Sequence, residues 1–231
     1  MPSRHALLSA SSSERWLCCT PSARLEETIP EKASAYAAEG TLAHSRAEEK
    51  LTNYLDGHPR KKVKCPDGEM DEATTNYRNY VIEVLNAEKK KDPCAQLFVE
   101  VEVDLSKWTP EGFGTSDAVV VSTDTLHVID FKYGTGVPVN AYHNSQLLLY
   151  AAGTMNIYEP LYGFRNITVH IYQPRIDHFD SYTTTVDDLE KWLEGTVRPM
   201  AKMAYAGEGK QMPGEWCRFC KVKANCRARA Q

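Results

Sequence analysis

Two acids and a lysine follow one another in this chain: Asp117 after Gly114-Thr115-Ser116, then Asp130-Phe131-Lys132. An acid and a lysine two residues apart on an extended strand project from the same face. Asp130 ends the apolar run Leu126-His127-Val128-Ile129, and an acid placed there is costly unless it is paired or holds a cation. Carboxylate oxygens suit Mg²⁺ and Mn²⁺. Such a cation polarises a scissile phosphate and lowers the pKa of an attacking water, and Lys132 stabilises the charge that develops. The set is therefore suited to phosphodiester hydrolysis. By itself, D-x-K is equally the pattern of a structural ion pair on a sheet.

Three further groups bear on that chemistry. Gln146 and Tyr150, in Gln146-Leu147-Leu148-Leu149-Tyr150, lie four apart and share a helix face. Gln146 can hydrogen-bond a water and a phosphate oxygen, and Tyr150 can reach a nucleic-acid backbone. His44, in Gly40-Thr41-Leu42-Ala43-His44, offers a borderline-soft ligand that biases a site towards Mn²⁺, with Glu48 one turn on. Cys217-Arg218-Phe219-Cys220 and then Cys226 place three thiols in a short basic segment, where Arg218 and Lys221 stabilise thiolates. The Cys18-Cys19 pair offers a fourth ligand by joining the chain ends; Cys65 and Cys94 each adjoin a proline outside any cluster. Four thiolates admit Zn²⁺ or a [4Fe-4S] cluster.

The elements that must hold these groups can be read from periodicity. Residues 1–35 read as an irregular opening with a short helix near 11–17. Apolar positions at helical spacing predict helices over 41–54 and 71–90, the first stopped by Gly57-His58-Pro59. Strands are expected over 96–105, 113–122 and 125–132, an antiparallel meander with a turn at Thr123-Asp124. A helix over 140–156, a strand over 166–173, a weaker extended stretch at 181–185 and a helix over 186–205 follow. Residues 207–214 read as a linker to the cysteine tail. The order predicts an α/β (α+β) fold, a mixed central sheet flanked by helices. The whole chain, 1–231, is expected to be one domain, with the segments 1–35 and 207–231 packed on it.

Composition sets bounds. With 42% hydrophobic and 25% charged residues, the 231-residue chain has the make-up of a globular protein. No apolar run approaches the roughly 18 residues of a membrane span, so no membrane partner is expected. Residues 1–13 are Ser-rich without an apolar core, unlike a signal peptide. An intracellular, cytoplasmic setting is therefore expected, in which seven cysteines point to metal rather than disulfides. A net charge of −4 argues against general DNA coating, yet Arg60-Lys61-Lys62-Val63-Lys64 and the tail from Arg218 to Arg229 can still meet phosphate.

Together these residues resemble the RecB-type branch of the PD-(D/E)xK nuclease superfamily, in particular its phage, prophage and CRISPR-associated members with an iron-sulfur cluster. The resemblance spans nearly the whole chain and includes Arg15-Trp16-Leu17-Cys18-Cys19. It implies a restriction-endonuclease-like core in which His44, Asp117, Asp130 and the carbonyl of Phe131 bind Mg²⁺ or Mn²⁺. Asp130 stands where the superfamily often has Glu, as is common in this branch. By the same resemblance Lys132 is catalytic, Gln146 and Tyr150 complete the site, and Cys19 joins Cys217, Cys220 and Cys226 on a [4Fe-4S] cluster, with zinc as the alternative. The implied activity is DNA cleavage, an exonuclease working at ends in phage recombination, replication or repair within a bacterial host. A single-strand annealing or single-strand-binding protein is the implied partner. The competing expectation is a non-catalytic nucleic-acid-binding module with structural zinc.

Overall fold

The computed structural model describes residues 6–30, 34–159 and 161–230. Of the opening segment expected over 1–35, residues 1–5 and 31–33 lie outside the described residues. Two short helices, α1 (Ser13–Cys18) and α2 (Ser22–Glu27), precede the long pair α3 (Ala35–Leu55) and α4 (Gly68–Lys89). Strands β1 (Gln96–Asp104), β2 (Phe113–Val121) and β3 (Thr125–Phe131) follow, then α5 (Ser145–Tyr158), β4 (Asn166–Gln173) and β5 (His178–Thr185). Helices α6 (Val186–Trp192), α7 (Arg198–Ala206) and the short α8 (Arg227–Ala230) complete the order. Among the described residues no helix is long and apolar enough to cross a membrane.

The five strands lie in chain order in one mixed sheet: β1, β2 and β3 form an antiparallel meander, β4 runs parallel to β3, and β5 returns antiparallel. The parallel step requires a crossover, and α5 supplies it. Each long helix starts at a side-chain cap: Ser34 Oγ accepts from Ala37 N at 3.0 Å, Asp67 Oδ1 from Met70 N at 2.8 Å, and Asn144 Oδ1 from Leu147 N at 3.2 Å. The last cap explains why α5 begins at Ser145 rather than at 140 as periodicity suggested. The predicted helix over 186–205 contains a π turn, Leu193–Val197, just before Pro199. Proline has no N–H to continue the helical ladder, and the wider turn accommodates it.

Apolar side chains cover both faces of the sheet. Val119, Val121, Val128 and Val169 pack beneath α5, α6 and α7, whereas Ala118, Val120, Ile129 and Phe131 pack against α3 and α4. Each large side chain so buried contributes about 1.5–3 kcal/mol. Buried Lys50 fixes α3 to α4, its Nζ donating to Asp71 Oδ1 at 2.6 Å and to the hydroxyls of Thr74 and Thr75 at 2.8 and 2.7 Å. The C-terminal segment docks on the first helices: Lys221 N donates to Glu26 Oε1 at 2.6 Å, and Arg15 pairs with the same carboxylate at 2.8 Å.

Candidate functional site

The alternation of β1 slips at one residue. Leu97 and Val99 join the core under α3 and α4, but Val101 and Val103 join the core under α5, as Phe98 does. Glu100 lies at the slip with φ +50°, the left-handed region, in the middle of a strand. Such a conformation costs a non-glycine residue about 1–3 kcal/mol. The register on either side, Val99 to Ala118 and Val101 to Ser116, sets Glu100 opposite Asp117.

Beside this slip β2 and β3 part. Their pairing runs from Val121 and Leu126 to Ala118 and Ile129 and stops there. Asp117 fills the split, its Oδ2 accepting the Phe131 N–H at 2.8 Å where a strand carbonyl would have stood. Its Oδ1 lies 3.2 Å from His44 Nδ1 on α3. Tyr77 on α4 braces the same stretch, donating to Ile129 O at 3.0 Å and stacking on Phe131 with ring centres 4.7 Å apart.

Asp130 and Lys132 meet the first turn of α5. Lys132 Nζ donates to Gln146 Oε1 at 3.1 Å, and Gln146 Nε2 lies 3.4 Å from Asp130 Oδ1 and 3.3 Å from Tyr150 OH. Asp130 Oδ2 is 2.9 Å from Lys132 Nζ but off the line of a hydrogen bond, so this enclosed oxygen keeps an unfilled acceptor direction. The Tyr150 ring lies so close to β2 that a Cβ on Gly114 would come within 2.7 Å of it, which is why that position is glycine.

The electrostatics follow from burial and unequal charge. Burial opposes the charge on Asp117, but His44, the Phe131 N–H and Lys132 outweigh it and hold its pKa below the usual value. Asp130 is pushed up, by burial and by Asp117, against the pull of Lys132. Burial depresses His44 while Asp117 and Asp130 raise it, for a net rise. Glu100 is pushed up to about 7, first by burial and then by Asp117 and Glu48. The sequence reading missed Glu100. The signal was there, in the adjacent apolar pair Phe98-Val99 followed by Val101 and Val103, a break in strict alternation.

Of the predicted residues, His44 thus meets Asp117, and Asp130, Lys132 and Gln146 meet one another with Tyr150 at the margin, the two groups joined through the Phe131 N–H. Among the described residues, no three His, Cys, Asp or Glu groups stand close enough together to share a metal ion. His44 and Asp117 face each other, and Asp130 faces Lys132. The donors themselves, hard carboxylate oxygens with one imidazole, have the chemistry of a Mg²⁺ or Mn²⁺ site, and the unfilled oxygen of Asp130 leaves one acceptor direction free.

The cysteines gather elsewhere. Cys19, Cys217, Cys220 and Cys226 line one cavity between α1 and the C-terminal segment, together with Arg15, Lys223 and Arg229. Cys18 is not among its lining residues. Gly214 N donates to Cys217 Sγ at 3.5 Å, and burial pushes the Cys220 thiol up to about 11. These four thiols are not at metal-sharing distance, but their number and the cations beside them fit a thiolate-ligated centre.

A second buried polar cluster, which the sequence reading passed over, lies between β3, β4 and α4. His127 Nδ1 is 3.0 Å from His170 Nε2, and Tyr80 OH is 2.9 Å from His170 Nδ1. His127 Nε2 lies 3.3 Å from Glu88 Oε1, which also accepts from Lys91 at 2.7 Å, while Ser122 donates to Glu88 Oε2 at 3.2 Å.

Among solved structures, the chain is similar to that of SSO0001, with 13% identity, coverage of 94% of this chain and 96% of that one, and a TM-score of 0.36. It is also similar to the protein named "Putative exonuclease" from Eubacterium rectale, with 12% identity, coverage of 95% and 88%, and a TM-score of 0.42. The family described as "Protein of unknown function (DUF2800)" matches residues 5–231. With the match extending over almost its whole length, the chain belongs to the DUF2800 family.

Proposed function

We propose that this protein is a divalent-metal-dependent deoxyribonuclease of the RecB-type PD-(D/E)xK kind, acting as an exonuclease at DNA ends. One observation carries the reading: the pair His44–Asp117 and the group Asp130, Lys132 and Gln146, drawn from α3, β2, β3 and α5, stand on either side of Phe131, whose N–H donates to Asp117. A structural ion pair accounts for Asp130 with Lys132, but not for a third charged group and an imidazole beside a strand split.

His44, Asp117, Asp130 and the carbonyl of Phe131 would hold Mg²⁺ or Mn²⁺, which when bound supplies Lewis acidity and a more acidic water. Lys132, fixed between Asp130 and Gln146, remains protonated because Asp130 and Asp117 outweigh its burial. It thus directs an ammonium at the charge that grows on the phosphate oxygens. Gln146 orients Lys132 through its carbonyl oxygen. Tyr150 keeps its proton, because burial raises its pKa, so its hydroxyl acts as a hydrogen-bond donor to backbone phosphate. Asp130→Asn should lower cleavage of end-labelled linear DNA in Mn²⁺ by about 10³-fold. Circular DNA under the same conditions separates end-directed from internal cutting. Unchanged rates in the variant would refute the assignment.

Cys19, Cys217, Cys220 and Cys226 would hold a [4Fe-4S] cluster that ties the C-terminal segment to α1. Their shared cavity, lined with Arg15, Lys223 and Arg229, supports this reading. Protein purified without oxygen should be brown, and Cys220→Ala should bleach it. Colourless protein carrying one zinc equivalent would replace iron with zinc.

A further inference from the structure

We infer that Glu100 is a third carboxylate ligand for the divalent cation of the proposed nuclease site, an inference that rests on that reading. Glu100 and Asp117 fall opposite one another by register, between the pairs Val99–Ala118 and Val101–Ser116, at the one interruption of the β1–β2 ladder. Like charges facing one another across strands repel and are avoided where nothing offsets them. Here the repulsion is sharpened: Asp117 and Glu100 are both half-buried, and Glu48 of α3 adds a third negative charge. The neighbouring group that favours a charged Glu100 is His44, and His44 already faces Asp117 at 3.2 Å.

The backbone adds an independent observation. A glutamate at φ +50° in mid-strand is held where glycine would sit without strain. That same residue ends the alternation of β1, so strain and charge repulsion coincide at one position facing the parting of β2 and β3. A divalent cation between Glu100 and Asp117 converts the repulsion into shared ligation. The oxygen chemistry of the pair matches Mg²⁺ and Mn²⁺.

The experiment is calorimetric titration of MnCl₂ into the full chain, as wild type, Glu100→Gln and Glu100→Gly, with melting temperatures measured in EDTA. Glu100→Gln keeps the shape and removes the charge, and Glu100→Gly also removes the strain. Both should bind Mn²⁺ at least about tenfold more weakly, a loss typical of ligand-shell changes. Both should melt higher than wild type without metal, Glu100→Gly by the larger margin. Variants that bind Mn²⁺ as wild type does would overturn the role of Glu100 while leaving the nuclease reading intact. Variants that melt lower in EDTA would make Glu100 a structural residue and overturn it equally. Wild-type protein that takes up no Mn²⁺ would overturn the nuclease reading and this inference together.

Discussion

Strand β3 carries two buried polar clusters, and they differ in how far their charges and their backbone are settled. Near its start, on the face towards α4, His127 joins His170, Tyr80 and Glu88 in a chain that is hydrogen-bonded except at His127 Nε2, which lies 3.3 Å from Glu88 Oε1 off the line of a hydrogen bond, and Lys91 offsets the one carboxylate. At its end, Asp130 and Lys132 face α5 beside Asp117, with one oxygen unfilled, charges that do not cancel and a strained Glu100 across the ladder. Buried polar groups that satisfy one another rigidify a core. Those that keep unspent charge and strain mark a place where something else is to bind. On the proposed reading the first cluster serves stability and the second function.

Lys132→Met should sharpen that contrast most. It removes the ammonium aimed at developing charge, and the rate of DNA cleavage should fall by about 10³-fold. Thermal stability should change by no more than about 1 kcal/mol, because Asp130, already pushed up by burial, takes a proton when its partner goes. A variant that unfolds at room temperature would instead make this pair structural.

His170→Phe should do the reverse. It leaves the Tyr80 hydroxyl and His127 Nδ1 without their partner, a loss of about 1–3 kcal/mol in denaturant unfolding at pH 7. Cleavage per folded molecule should stay within about twofold of wild type, as for residues away from the reacting groups. If the rate collapses while the fold survives, the two clusters are coupled and the division drawn between them is wrong.

A smaller effect concerns pH. Burial, and then His127, push His170 down to about 3 from an ordinary 6.5, while His127 is lowered by burial against the pull of Glu88. The unfolded chain therefore binds more protons than the folded one between these values. The stability due to neutral His170 is complete above pH 6.5 and is lost as pH falls towards 3. Tyr80, Glu88, Lys91 and Ser122 face this pair, and among them Glu88 favours imidazolium and moderates the slope. Melting temperatures between pH 7 and 4 should fall more steeply for wild type than for His170→Phe; parallel slopes would mean that carboxylates govern acid unfolding instead.

The sequence alone determined much of the frame. Periodicity located α3, α4, α5 and the first four strands, and marked β5 only as a weaker extended stretch over 181–185, because burying one face imposes that spacing on any chain that folds. It also singled out Asp117, Asp130, Lys132, Gln146 and His44, since acids and lysine in an apolar strand are costly without a purpose. Local rules missed α2, extended the start of α5 past the Asn144 cap and joined α6 to α7 through the π turn. Only the tertiary structure brought His44 to Asp117, gathered four cysteines from both ends of the chain into one cavity and set Glu100 against Asp117. Those are long-range encounters, fixed by strand register and by a single left-handed residue. No window of neighbouring residues contains them, because the free energy that selects them comes from packing the whole sheet against its helices.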